Sequence, residues 1–219
     1  MIETINVINL SPHQQIDNYH SPELKLFVAR HREERALSIV EQSKRFGFAV
    51  RFWSGIVGDT GKNDVFRSPN IMRAFKKIVQ YAKEERLASC TIMEDDGVFT
   101  SDGAWKYYND NIPDDYDLYL GGVYQAEIKD GRIVNGYSGN TLITVHERFY
   151  DFFLSADEDP LHPFMGHLDK WLGCFCDKKK YIVCEPHVIK QIGVYSDNHR
   201  RKLNNEYEDM YENFKYYEG

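Results

Sequence analysis

Three acidic residues follow an apolar segment in the middle of the chain. Ser89–Met93 is predicted to be a short buried strand, and Glu94, Asp95 and Asp96 come directly after it. In a parallel α/β sheet, ligands bind at the carboxyl ends of the strands. Adjacent carboxylates repel one another there, and a divalent cation, Mg²⁺ or Mn²⁺ rather than zinc, is the simplest compensation. Such an ion would hold a departing diphosphate; the alternative interpretation is a solvated acidic turn.

Three arginines, Arg30, Arg32 and Arg35, follow the apolar run Leu24–Ala29, which we predict to be a strand. Arginines at the carboxyl end of a strand would meet the phosphates of a nucleotide, because the guanidinium group pairs with phosphate oxygens in bidentate geometry. The alternative is a helix start in which neighbouring glutamates pair with these arginines.

Asp169 is a candidate general base. It lies in the predicted helix Gly166–Cys176, where Leu168, Trp171 and Leu172 can form an apolar face. The first turn of a helix stabilises a negative charge through its free N–H groups and dipole, and a carboxylate can take the proton of an attacking hydroxyl. The alternative is that Asp169 only stabilises the start of its own helix.

The elements that must position these residues alternate along the first half of the chain. The pattern β-α-β-α-β is typical of a mainly parallel sheet flanked by helices. Gly47 is predicted to end the first helix, and Ser68-Pro69 to begin the second. The predicted strands of this half are Ile5–Leu10, Leu24–Ala29, Ala49–Trp53 and Ser89–Met93.

The second half of the chain is predicted to add a mixed set of strands. A hairpin over Gln125–Asn135 turns at Asp130-Gly131, and Thr144 and Glu147 form a capping box before a short helix. No repeat or linker interrupts the chain, so we predict one domain over residues 1–219 with a possible flexible tail over about 204–219. The other predicted strands are Leu118–Leu120, Gly139–Thr144 and Tyr181–Cys184.

The composition is that of a folded protein in a reducing compartment. The chain has 219 residues, a formal net charge of -7, 42% hydrophobic and 14% aromatic residues, which argues against disorder and against general polyanion binding. No run approaches a membrane span, and the first residues lack a signal peptide, so we expect a cytoplasmic location. The four cysteines, Cys174 and Cys176 among them, fit core packing better than a disulfide framework or a zinc site.

Several motifs occur in the order found in one enzyme family. Glu94-Asp95-Asp96 resembles the Asp-x-Asp motif of GT-A fold glycosyltransferases. Over roughly residues 24–200 the chain is similar to family-25 glycosyltransferases, the lipopolysaccharide and collagen galactosyltransferase group. The motifs that carry this resemblance are Phe27–Arg30, Phe52–Gly55, the helix Ile71–Glu85, Leu120-Gly121, Gly139–Thr144, Asp169–Leu172, Pro186, Gln191 and Ser196.

The resemblance implies a GT-A-like, mainly parallel Rossmann-type sheet and an inverting, metal-dependent transfer of a sugar from a nucleotide-sugar donor. The acceptor would be a hydroxyl of a glycan, a lipid-linked glycan or a modified nucleic acid base, for example in viral DNA. Asp96 and His199 would bind the metal, Glu94 or Asp95 the ribose or metal, and Asp169 would face the acceptor. Two alternatives stay open, a metal-dependent phosphohydrolase and a non-catalytic module that binds a sugar nucleotide.

Overall fold

The first half of the chain alternates strands and helices as its hydrophobic pattern predicts. The computed structural model describes residues 2–11, 14, 21–56, 68–157, 167–191, 195–196, 201–202 and 214–219. The elements of the first half are β1 (Thr4–Asn9), α1 (Pro22–Phe46), β2 (Ala49–Ser54), α2 (Ser68–Glu84), β3 (Ser89–Glu94), β4 (Gly97–Phe99) and α3 (Ala104–Asp110).

The second half consists of short strands and short helices. A 3-10 turn, Glu147–Phe149, leads into α4, Tyr150–Leu154. The other elements are β5 (Leu118–Leu120), β6 (Gln125–Lys129), β7 (Arg132–Ser138), β8 (Leu142–His146), α5 (Leu168–Gly173), β9 (Tyr181–Val183), β10 (Ile189–Gln191), β11 (Tyr195–Ser196) and β12 (Arg201–Lys202).

Eight of the described strands form one mixed sheet in the order β2-β1-β3-β8-β5-β9-β7-β6. β1 pairs in parallel with β2 and β3. β8 then lies antiparallel between β3 and β5, and the hairpin of β6 and β7 completes the far edge. The predicted α/β class, with a parallel first half and a mixed second half, is confirmed.

Helices cover both faces of this sheet. Strand residues alternate between the faces, so Ile92 packs into one core with α2, α4 and α5, whereas Met93 packs into another with α1 and α3. Cover on both sides explains why consecutive residues of β3 and β8 are buried, the hydroxyl residues Thr91 and Thr144 included, rather than every second one. The central strands are therefore fixed, and the residues at their ends are held by a rigid frame.

The strand predicted over Leu24–Ala29 is wrong, because this segment lies inside α1. Buried residues recur every three or four positions along α1, as a helix requires. Several of them are polar, so the spacing of hydrophobic residues alone does not show the helical pattern. Gln42, for example, donates to the Gly97 carbonyl and accepts from the Phe99 N–H. The residues of this face are Val28, Arg32, Arg35, Ile39 and Gln42.

The hairpin prediction is confirmed, whereas the capping box is wrong. Asp130 and Gly131 both have positive φ, 51° and 72°, as a two-residue turn of this hand needs. Thr144 lies in β8, where its hydroxyl is hydrogen-bonded to those of Thr91 and Tyr108. The N-cap is His146, whose Nδ1 accepts from the backbone N–H of residue 148.

The strand predicted over Gly139–Thr144 begins later, at Leu142. Backbone groups before that point make irregular contacts, because Gly139 has a φ of 110° and the Thr141 carbonyl accepts from the Glu94 N–H at 3.0 Å. Residues 139–141 therefore form a buried connection that ends beside the acidic residues after β3.

The last described residues pack onto the domain. Tyr216 forms a β-bridge with His187, and Tyr217 stacks on Tyr107 with ring centroids 4.5 Å apart. Residues 204–213 of the predicted flexible tail lie outside the described ranges, and the single-domain prediction stays a prediction.

Across the described residues, no helix has the length and apolarity that crossing a membrane would require. All four cysteines are free thiols.

Candidate functional site

The acidic residues lie at the edge of the sheet where β1 and β3 both end. These strands run in parallel with Ile8 opposite Glu94, so the residue after Ile8 is next to the residue after Glu94. The Asn9 side chain accordingly donates from Nδ2 to Asp95 Oδ2 at 2.8 Å. The last residue of β1 and the first residue after β3 are thereby joined, as the ends of neighbouring parallel strands should be.

Arg35 reaches the same edge because α1 is much longer than the strands it covers. Its 25 residues span about 37 Å at 1.5 Å per residue, against about 20 Å for six strand residues. The middle of α1 is therefore level with the strand ends. Arg35 NH1 lies 2.9 Å from Asp95 Oδ1 and NH2 lies 3.5 Å from Asp96 Oδ2, with only 11% of the arginine side chain exposed.

The other two predicted arginines do not join this cluster. Arg32 is buried, 3% exposed, and donates to the backbone carbonyl of Gln14 at 2.6 Å. The Gln14 side chain in turn donates to the Gly55 carbonyl at 3.0 Å, so Arg32 supports the connection after β1. Arg30 is exposed on α1. The corrected helix explains the difference. Arg30 lies on its exposed face, whereas Arg32 shares a face with Arg35 but lies nearly one turn closer to the start of α1, where it contacts residue 14.

The acidic cluster holds more negative charge than Arg35 balances. Burial, with the charges of Asp96, Asp169 and Asp95, raises the pKa of Glu94 to about 8, against the effect of a hydrogen bond from Gln191. The Gln191 Nε2 group donates to Glu94 Oε2 at 2.6 Å. Burial also raises the pKa of Asp96, to about 6, while Arg35 acts in the opposite direction. The fold thus holds these carboxyl groups where their charged forms are costly.

Asp96 has an oxygen that no described residue satisfies with a hydrogen bond. Its Oδ1 atom is enclosed and has no hydrogen-bond partner, although an unpaired buried acceptor is expensive to leave in a folded protein. The side chain as a whole is 20% exposed, so the carboxylate lies at the border of the protein rather than in its core. An acceptor of this kind is suited to a bound cation or to a ligand that donates a hydrogen bond.

Asp169 is held very differently. Its Oδ2 atom accepts from the Ser138 hydroxyl at 2.8 Å and from the Gly139 N–H at 3.1 Å, and its Oδ1 accepts from the Lys170 N–H at 2.8 Å. Gly139 permits this contact, since a Cβ atom there would lie 2.7 Å from the Tyr124 ring. Asp169 is close enough to Glu94 for its charge to raise the pKa of that carboxyl group. Asp169 therefore belongs to the same acidic edge.

The described residues offer a metal ion one carboxylate, Asp96, and not a complete set of ligands. Among the described residues, no group of three or more His, Cys, Asp and Glu side chains is arranged to hold a metal ion. Mg²⁺ is usually bound through only one or two carboxylates together with substrate phosphates and water. The unsatisfied oxygen of Asp96 is a donor of the right kind for this arrangement. His199, the other predicted ligand, lies outside the described residues.

Some residues of the site carried no chemical signal that singled them out in the sequence. Asn9 is an amide at the end of β1 and inside the predicted strand Ile5–Leu10, and only the pairing of β1 with β3 shows what it contacts. Gln191 reaches Glu94 because β10 pairs with β4, where it lies opposite Gly97. Ser138 is the last residue of a hairpin strand. Of these residues, Gln191 had a signal in the sequence, its place among the motifs of the family resemblance.

No family model matches the sequence, and no curated protein matches it. The fold is similar to A197 from STIV, at 10% identity and a TM-score of 0.46 over 94% of this chain and 95% of that chain. It is also similar to a glycosyltransferase involved in the glycosylation of the major capsid of PBCV-1, at 11% identity and a TM-score of 0.48 over 85% of this chain and 83% of that chain. Membership of family 25 is not confirmed, and the residue roles depend on the geometry above.

Proposed function

We propose that this protein is a glycosyltransferase that moves a sugar from a nucleotide-sugar donor to a hydroxyl acceptor, with Mg²⁺ or Mn²⁺ and with inversion at the anomeric carbon. One observation carries the proposal. At the carboxyl edge of the sheet, the carboxylate of Asp96 lies beside the guanidinium of Arg35 and has one oxygen without a partner among the described residues. A second, separately anchored carboxylate, Asp169, lies close enough that both it and Asp96 act on Glu94.

The donor would bind on the side of Asp96 and Arg35. Asp96 would hold the metal, with His199 as a second ligand, and the ion supplies charge neutralisation of the departing diphosphate. Arg35 would share its guanidinium between Asp95 and a phosphate oxygen, because a guanidinium offers five N–H donors. Asp95 already accepts from Asn9 and Arg35, so with Glu94 it would form the polar wall against which the ribose and diphosphate lie.

The acceptor would bind on the side of Asp169. Inversion needs a single displacement, in which the acceptor oxygen bonds to the anomeric carbon while the bond from that carbon to the diphosphate oxygen breaks. The bonding electrons leave with the nucleoside diphosphate, and the hydroxyl proton passes to Asp169. Its Oδ1 atom is the better proton acceptor, because it receives one hydrogen bond where Oδ2 receives two.

The acceptor classes we propose are a glycan, a lipid-linked glycan and a modified nucleic acid base, since each presents a hydroxyl that such a carboxylate can deprotonate. Arg30 is exposed on α1, and its predicted contact with the donor would need the donor to extend along this helix.

A donor screen tests the proposal directly. Thermal unfolding is measured with UDP, GDP, UDP-glucose, UDP-galactose, UDP-N-acetylglucosamine, GDP-mannose and GDP-fucose, each with and without Mn²⁺. A bound ligand at 100 times its Kd stabilises the fold by about 2.7 kcal/mol. We expect metal-dependent stabilisation by one nucleotide family, and metal-dependent loss of its sugar when the donor is incubated with the protein.

Other outcomes of this screen would contradict the proposal. Release of inorganic phosphate from UDP or GDP without any dependence on the sugar indicates the phosphohydrolase. Stabilisation by a donor that stays intact with water and with every hydroxyl acceptor offered indicates a non-catalytic binding module. If none of the seven compounds stabilises the protein, the nucleotide-sugar assignment is contradicted.

A further inference from the structure

Asn140 lies between the two carboxylate positions of the proposed site. The residue before it, Gly139, donates its N–H to Asp169 at 3.1 Å, and the carbonyl of the residue after it, Thr141, accepts from the Glu94 N–H at 3.0 Å. The connection that carries Asn140 therefore bridges the general-base candidate and the acidic cluster. Asn140 as a whole residue is 7% exposed, an unusual position for an amide unless the amide has partners.

The Asn140 amide is fixed by a buried tyrosine. The Tyr137 hydroxyl donates a hydrogen bond to Asn140 Oδ1. Burial, and after it the charge of Asp169, raises the pKa of Tyr137 well above its ordinary value, so this hydroxyl keeps its proton and remains a donor. The amide oxygen is therefore occupied, and the orientation of the amide plane is determined by that bond.

The other half of the amide is available. Among the described residues, the Nδ2 group of Asn140 forms no hydrogen bond. It is also absent from the enclosed side-chain atoms that lack a partner, which include Asp96 Oδ1. An amide nitrogen without a hydrogen bond among the described residues offers two N–H donors to a ligand, and the backbone on either side of it contacts Asp169 and Glu94.

We propose that Asn140 binds a hydroxyl of the transferred sugar and thereby selects the donor. This inference rests on the proposed function, because it takes its ligand from the displacement described above. In that reaction the anomeric carbon must lie between Asp169 and the diphosphate held at Asp96, so the sugar ring occupies the place that residues 139–141 border. The nucleotide base, which lies beyond the diphosphate, is too remote for this contact.

A buried amide in this position discriminates strongly between sugars. A site built to hydrogen-bond a substrate hydroxyl rejects an analogue without it, because the site's own polar group is then left unpaired. Tyr137 keeps the amide from turning its oxygen toward the sugar, so the contact is selective for an oxygen that accepts. Asn140 is thus a specificity-determining residue, and Tyr137 positions it.

The experiment compares a donor with its own nucleoside diphosphate. For the donor that the screen identifies, Kd values in Mn²⁺ are measured by calorimetry for donor and diphosphate with wild type, Asn140→Ala and Tyr137→Phe. We expect Asn140→Ala to weaken donor binding about 10-fold and to leave diphosphate binding unchanged, the worth of one lost hydrogen bond in a closed site. Tyr137→Phe keeps the Asn140 amide but removes the hydrogen bond that orients it. This variant should weaken donor binding about 3-fold, less than Asn140→Ala, because the amide can still reach the sugar.

Asn109→Ala is the matched control. Both ends of the Asn109 amide are bonded to the Ile2 backbone. The amide oxygen accepts from the Ile2 N–H at 2.8 Å, and the amide nitrogen donates to the Ile2 carbonyl at 3.0 Å. Ile2 precedes β1, so Asn109 lies at the opposite, amino edge of the sheet. This variant removes an amide of the same kind without touching the site, and both Kd values should equal those of wild type.

Deoxy donors separate a sugar contact from a structural effect. If Asn140 binds one hydroxyl, wild type should bind the donor lacking that hydroxyl about 10-fold more weakly, and Asn140→Ala should bind it no worse than wild type does. Equal loss of donor and diphosphate affinity in Asn140→Ala, or no loss of either, overturns the inference and leaves the proposed function intact. If Asn140→Ala does not fold, unchanged donor affinity in Tyr137→Phe overturns it. Absence of donor binding by wild type overturns the proposed function and this inference together.

Discussion

Two carboxylates at the same edge of the sheet are held in opposite ways. Asp96 has one oxygen 3.5 Å from Arg35 and another that is enclosed without a partner. Asp169 has three hydrogen-bond donors distributed over both of its oxygens. The first residue follows a central strand and faces two other carboxyl groups of its own segment, whereas the second begins a short helix and receives backbone and hydroxyl donors.

The difference indicates two kinds of chemistry. A carboxylate left short of partners among like charges gains most from a ligand that brings positive charge, such as a metal ion with its phosphates. A carboxylate whose orientation is fixed by three donors gains nothing comparable from a metal, but it can present one lone pair to a hydroxyl without rearranging. In the proposed mechanism, charge neutralisation and proton transfer therefore belong to different carboxylates, and each role can be tested by its own substitution.

The largest effect is expected at Asp169. Asp169→Asn keeps the shape of the side chain and removes its basicity, so donor and metal binding should persist while kcat falls by ~10²- to 10⁴-fold, the usual worth of general base catalysis. The measurement is steady-state transfer with the donor and acceptor that the screen identifies. Asp151→Asn is the matched control, because Asp151 also lies in the first turn of a short helix but is 81% exposed and paired with Lys83.

A folded Asp169→Asn protein with kcat within a few-fold of wild type would contradict the assignment of Asp169 as base. Glu185 and Asp197 would then be the next carboxylates to replace. Loss of donor binding in the same variant would instead move Asp169 to the donor side, and the two carboxylates would no longer differ in role.

The second effect is expected at Asp96. Asp96→Asn should abolish the Mn²⁺-dependent part of stabilisation by UDP or GDP, about 2.7 kcal/mol at a ligand concentration of 100 Kd. The apo protein should remain folded, because the uncharged amide relieves the repulsion with Glu94 and Asp95. Arg35 also keeps its closer ion-pair partner, Asp95. Asp102→Asn, which changes an exposed carboxylate paired with Arg45, serves as control. Metal-dependent stabilisation that survives in a folded Asp96→Asn protein would exclude Asp96 as a ligand.

Much of this site could be predicted where its signal is local. Glu94, Asp95 and Asp96 follow an apolar run directly, and a parallel sheet brings such ends to one edge. Asp169 is indicated by the apolar pattern of its short helix together with the family resemblance, and the structure places it near Glu94, while its catalytic role stays a prediction. The alternation of strands and helices and the turn at Asp130 also depend on neighbours in sequence, and these predictions are confirmed except for the strand at Leu24–Ala29.

The remaining features depend on contacts between distant segments. The face of α1 that packs on the sheet includes Arg32 and Gln42, so hydrophobic periodicity placed a strand where a helix is. Thr144 looks like a helix cap until β8 pairs with β3 and gives its hydroxyl the partner Thr91. Side chains that bond across about 30 or more positions, such as Ser138 to Asp169, have no local signature.

The third effect distinguishes two arginines of one helix. Arg35→Ala should raise the donor KM about 10-fold, because it removes a phosphate contact and leaves Asp95 and Asp96 uncompensated. Arg32→Ala should raise it less, about 3-fold, since Arg32 acts through the connection after β1 that it supports. The measurement is KM for the donor at saturating Mn²⁺. Equal KM values for Arg35→Ala and wild type would remove Arg35 from the donor site and reduce it to an ion-pair partner of Asp95.

The smallest effect is expected at Ser138, and it tests whether the orientation of Asp169 matters. Ser138→Ala removes one of the two donors on Asp169 Oδ2 and leaves the Gly139 N–H in place. The lost hydrogen bond is worth about 1 kcal/mol, so we expect kcat to fall about 5-fold with an unchanged donor KM, because the carboxylate is aligned less well but remains basic. Ser155→Ala, which removes an exposed hydroxyl bonded to the Phe152 carbonyl, should leave both constants unchanged. A change in donor KM without a change in kcat would mean that Ser138 serves the donor side, and the separation between the two carboxylates would then be weaker than their hydrogen bonds indicate.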